Sequence, residues 1–146
     1  MAEYLLRARL PRGMRWTVGS AGVAASDGFP ASAESILALR EKGIDLMPHR
    51  SRALTRELVD AASAIVVMTA QHRATILERF SEAGGKVFLI KSFDSAASGV
   101  DVEDPIGMDL ETYRSVRDEI DACLPELILF LHETGKNRTD KGRARA

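Results

Sequence analysis

Two kinds of residue are scarce in this 146-residue chain: cysteine, present once, and aromatics, at 5%. A single cysteine excludes an internal disulfide framework and fits a reducing compartment. Charge of either sign is not in excess. The formal net charge of −1 argues against nucleic acid or an anionic membrane as a bulk electrostatic partner. Long apolar runs are missing too: Ala64-Ile65-Val66-Val67-Met68 and Leu127-Ile128-Leu129-Phe130-Leu131 are far short of a membrane span. Glu3, Arg7 and Arg9 interrupt the N-terminus before the apolar core of a signal peptide could form. What is present, 45% hydrophobic and 28% charged residues, is the balance of one globular domain, read here as cytoplasmic.

Periodicity orders the elements. Ala2, Leu5, Leu6 and Leu10 recur at helical spacing until Pro11 and Gly13. Residues 16–18 are β-prone and run into Gly19-Ser20-Ala21-Gly22. Ser32 and Thr55 each suit the cap of a helix. The β-branched run at 65–68 and the apolar run at 87–90 predict strands buried on both faces, with a helix over 71–80 between them. A long loop over 92–109 leads to a last helix lined by Tyr113, Val116, Ile120, Cys123, Leu127 and Leu131, which Pro125 should kink or split. Strands alternating with helices imply an α/β fold with a doubly wound parallel sheet. The domain spans 1–134. Residues 135–146, polar and mostly basic, predict a disordered tail.

Ligands in such folds bind at the carboxyl ends of strands, so the loops there hold the candidates. Asp104-Pro105 is either a plain turn initiator or a general acid on a stiffened loop, with Tyr113 nine positions on. Asp101 and Glu103 could raise its pKa by like-charge repulsion, or could simply be solvated. Gly19-Ser20-Ala21-Gly22 lacks the spacing of a dinucleotide or Walker loop and reads first as a tight connection. Pro48-His49-Arg50-Ser51-Arg52 is an anion patch or a solvated connector. No second histidine or cysteine stands at ligand spacing from His72 or His132, so no metal is expected, and no cofactor either. Cys123 falls on the apolar helix face, and six residues after it stands Leu129, so no cysteine-to-arginine phosphate loop can be built around it.

Taken together, Met1-Ala2-Glu3, Gly19-Ser20-Ala21-Gly22-Val23, His49-Arg50-Ser51-Arg52-Ala53-Leu54-Thr55, Ile65-Val66-Val67-Met68-Thr69 and Asp104-Pro105 to Tyr113 resemble the low-molecular-weight protein tyrosine phosphatases. The order and spacing are most similar to the bacterial branch, which includes phosphotyrosine and phosphoarginine phosphatases. The resemblance implies a four-stranded parallel sheet with flanking helices, and a phosphorylated protein as substrate. It makes Asp104 the general acid, gives Ser20 and His49 the bracing of the phosphate loop, and sets Tyr113 and Phe29 at the pocket rim.

The family's signature runs from a first strand into Cys-x5-Arg-Ser-Pro-Met-Ala-Glu, and this chain begins at its Met. The resemblance therefore implies that the central first strand, the nucleophile and the phosphate-gripping arginine are missing. A chain so truncated is expected to be inactive. Its two facing strand edges would also stand unpaired, at about 1–3 kcal/mol per unsatisfied buried group, against a total stability of roughly 5–15 kcal/mol. That mismatch suggests a start internal to a longer product, which the in-frame codons before Met1 would test. The rival reading is a noncatalytic pseudophosphatase acting as a binding or regulatory module. Thiol-linked arsenate reduction fits poorly, because Cys123 alone cannot supply the shuttling cysteines.

Overall fold

The computed structural model describes residues 1–14 and 16–143, with 136–143 described by backbone alone. Its order is α1 (Ala2–Arg9), α2 (Ala33–Arg40), α3 (Arg56–Ala61), β1 (Ile65–Val67), α4 (Ala70–Arg79), β2 (Val87–Leu89) and α5 (Leu110–Arg143), with short 3-10 turns at Ser81–Lys86 and Ile90–Phe93. β1 and β2 pair in parallel, Val66 opposite Phe88. The chain is an α/β protein built on a parallel sheet.

Helix starts follow from local chemistry. The Ser32 hydroxyl accepts the Ser35 amide, and Thr55 and Thr69 do the same for Leu58 and His72. Each satisfies one of the donors that a helix leaves open in its first turn. α1 has no side-chain cap; the Met1 carbonyl accepts the Tyr4 and Leu5 amides instead.

Alternation along the strands divides the core. Ile65 and Val67 of β1, with Val87 and Leu89 of β2, join Val59, Ile76 and Phe80 on the α3 and α4 side. Val66 instead packs with Leu5, Leu39, Val116, Ile120, Leu124 and Leu127 on the side of α1, α2 and α5. Phe88 meets Phe130 of α5 with ring centroids 4.9 Å apart. The period-2 geometry of a strand thus sends neighbouring residues to opposite helical layers, which is the doubly wound arrangement.

Three expectations need correction. The β-prone piece at 16–18 forms no strand, since an extended segment needs a neighbour to bond; the adjoining backbone makes only an isolated bridge, Gly22 to Ala53. Among the described residues the sheet has two strands, and with only one flank covered Ile65 and Val66 stay half-buried rather than enclosed. Pro125 lies inside α5 without splitting it. The backbone of α5 continues past residue 135 to Arg143. Residues 144–146 lie outside the described residues.

α2 is clamped to α5 by ions. Glu41 accepts from Arg114 Nη2 at 2.6 Å and from Arg117 Nη1 at 2.8 Å, while Arg117 also donates to Asp118 and to the Ala38 carbonyl. The guanidinium of Arg114, then that of Arg117, holds Glu41 at about 2, against an ordinary 4.5. Arg117 holds Asp118 at about 2, against 3.8. Carboxylates acidified by folding stabilise the native state above their unfolded pKa, and that contribution is lost as pH falls toward the folded value. Urea midpoints should therefore drop between about pH 5 and pH 2, modestly because both carboxylates face solvent. Arg117→Met should flatten that slope; equal slopes in the two proteins would count against the clamp.

Candidate active site

The general-acid candidate sits on a loop fastened at several points. After β2 the chain turns back toward the C-terminal end of β1. There Asp101 Oδ1 accepts the Ala70 amide at 2.7 Å, and the Val102 amide donates to the Met68 carbonyl at 2.9 Å. Val102 is buried, and so is Pro105. Gly107, at φ 79°, turns the chain in a conformation that side chains resist, and the Met108 amide returns to the Pro105 carbonyl at 2.9 Å. Asp109 then receives the Thr112 amide at 2.9 Å, and α5 begins. Between the buried Val102 and Pro105 the loop exposes Glu103 and Asp104. Asp104 Oδ1 accepts the Ile106 amide at 3.1 Å, a local turn that, among the described residues, leaves the other carboxyl oxygen without a hydrogen bond.

A second cluster forms around Glu3, in the first turn of α1. Ser20 Oγ donates to Glu3 Oε2, and His49 Nδ1 lies 3.8 Å from the same oxygen. Arg7 Nη2 pairs with the other carboxyl oxygen at 2.6 Å, one helical turn on. Tyr4 sets its ring edge-on to His49, with centroids 5.8 Å apart. Arg52 Nε donates to the Ser20 carbonyl at 2.7 Å, and the same guanidinium occupies the space that a Cβ on Gly19 would fill. Burial pushes the His49 pKa down and outweighs the attraction of Glu3, so a neutral imidazole faces the carboxylate. Burial also lowers the Met1 amino group.

Residues 1–139 match the family model described as low molecular weight phosphotyrosine protein phosphatase. The chain belongs to that family. It is 41% identical over 127 residues to a protein-arginine-phosphatase of Geobacillus stearothermophilus, covering 87% of this chain and 83% of the relative. A protein-arginine-phosphatase of Bacillus subtilis is 38% identical over 128 residues, covering 87% and 84%. The solved YwlE arginine phosphatase from G. stearothermophilus superposes with a TM-score of 0.81 at 39% identity, covering 90% of this chain and 83% of that one.

Within this phosphatase-family chain, Ser20 and His49 are brought together on one carboxylate. Among the described residues no hydrogen bond or ion pair joins Asp104 to that cluster. Tyr113 lies on the buried side of α5. It is 4% exposed, because it shares the inward face of α5 with Val116 and Ile120. Phe29 is 62% exposed on a loop whose backbone is pinned to Ser51. The exposed apolar side chains beside Asp104 are Ile106, at 76%, and Met108. Cys123 is buried, which raises its thiol pKa and keeps it from acting as a nucleophile. Sequence reasoning missed Glu3 as the centre of a cluster, since an acid in a first helical turn is ordinary. It also missed Ile106, whose exposure follows only from the turn that Asp104 closes.

Proposed function

We propose that this chain is the acid-bearing and loop-bracing part of a protein phosphatase acting on phosphotyrosine or phosphoarginine in proteins. The observation that carries the reading is Asp104, exposed on a fastened loop at the carboxyl end of β1 in a member of this family. In the proposed reaction a cysteine thiolate attacks phosphorus. As the bond to the leaving oxygen or nitrogen breaks, the protonated Asp104 gives that atom its proton. Water then attacks the phosphocysteine, Asp104 takes the water's proton, and phosphate leaves with the thiolate restored.

The nucleophile and the phosphate-gripping arginine of that scheme are not among these 146 residues, whose one cysteine is Cys123. The reading therefore needs a Cys-x5-Arg segment from outside these residues. Glu3, Ser20 and His49 would receive that segment at the start of α1. A thiolate mechanism suits a reducing, cytoplasmic setting with a phosphorylated protein as partner and no metal, nucleic acid or membrane. No helix among the described residues is long and apolar enough to cross a membrane.

The missing nucleophile favours one alternative, a noncatalytic member that binds phosphorylated or other proteins. One assay separates the two. The 146-residue chain should not turn over an aryl phosphate or phosphoarginine, whereas a form extended upstream with the Cys-x5-Arg segment should, with vanadate inhibiting it. Turnover by the short chain would refute the assignment of the nucleophile. Silence from both would leave the binding module.

A further inference from the structure

Asp101 stands three positions before Asp104, where its charge could be taken as a perturbation of the acid. The structure employs it differently. Its Oδ1 binds the Ala70 amide at 2.7 Å, and Ala70 opens α4 directly after β1. That amide is one of those a helix cannot satisfy internally, and the positive end of the helix favours a carboxylate there. One residue on, the Val102 amide reaches the Met68 carbonyl and the Val102 side chain is 2% exposed. The loop is thus stitched to the strand end and to the following helix through adjacent residues. Among the described residues, Asp104 itself takes part only in the hydrogen bond from the Ile106 amide. Its place is inherited from these neighbours.

We propose that Asp101 is a positioning residue for the general acid: it locks the 101–108 loop to the N-terminus of α4 and so sets where the Asp104 carboxyl is offered. This rests on the reading of Asp104 as the acid. The locking needs an acceptor at the Oδ1 position and, secondarily, the negative charge. Asn keeps the first, and Ala keeps neither.

The test is amide hydrogen exchange by NMR on the 146-residue chain. Asp101→Ala should speed exchange at Ala70 and Ile106 at least about tenfold, the scale of losing a charge-assisted hydrogen bond. Amides in the β1–β2 ladder should keep their rates, and Asp101→Asn should restore most of the protection. Unchanged exchange at Ile106, or an equal rise across β1 and β2, would overturn the proposal. Should the Ala variant fail to fold, Asp101→Glu, which pushes the carboxylate out by one methylene, is read by the same criteria. In the form carrying the Cys-x5-Arg segment, Asp101→Ala should lower kcat while leaving KM, with recovery by Asp101→Asn. Intact kcat despite raised exchange would sink the positioning role alone; an Asp104→Asn variant with intact kcat would sink the general-acid reading and leave the stitch.

Discussion

Replacing Asp104 by Asn, in a form that carries the Cys-x5-Arg segment, is expected to lower kcat by about a hundredfold to ten-thousandfold, the range for removing a general acid. The substitution is nearly isosteric. An Asn Oδ1 can still accept the Ile106 amide, so the turn between the buried Val102 and Pro105 survives. What is lost is the transferable proton. The loss should be smallest for a nitrophenyl phosphate, whose leaving group departs without help, and largest for a substrate whose leaving atom must be protonated. A variant that raises KM and spares kcat would show that Asp104 binds substrate rather than serving the transition state.

Leu39→Ala should destabilise the fold by about 2–5 kcal/mol, the cost of emptying a fully enclosed leucine site. Leu39 is 0% exposed on α2 and belongs to the cluster of Leu5, Val116, Ile120 and Leu124, where α1, α2 and α5 converge. Neighbouring backbone cannot collapse easily into the void, because Arg117 holds the Ala38 carbonyl at 2.9 Å. Against a total of roughly 5–15 kcal/mol, one such cavity removes a large share of the stability. Leu37 supplies the control: it is 44% exposed on the outer face of the same helix. Leu37→Ala should stay within about 0.5 kcal/mol. Urea unfolding followed by circular dichroism compares the two, and similar losses at both positions would refute this account of the core.

Much of the architecture was legible because it is local. Capping hydroxyls at Ser32 and Thr55 begin helices as expected, and Pro11 follows the end of α1. The β-branched run at 65–68 yields β1, and the apolar run at 87–90 yields β2. Residues 16–18 were misread for the opposite reason. Their strand character is a matter of pairing, and β-propensity describes fit to a neighbour more than a backbone preference. Tyr113 shows the same limit at the site. Its distance from Asp104 in sequence says nothing of its burial, which the first turns of α5 decide.

Composition and spacing by themselves determined an α/β chain, its capped helices, its two apolar strands and an acid beside a proline, since each follows from rules acting over a few residues. They also determined that no cysteine with an arginine six positions on occurs in these 146 residues. Only tertiary structure decided that Ser20 and His49 meet on Glu3, that Asp101 accepts the first amide of α4, and that Ile106 is exposed beside the acid while Tyr113 is buried. The reason is physical: hydrogen bonds between residues 17 and 31 positions apart, and the face a helix buries, exist only once distant segments have packed.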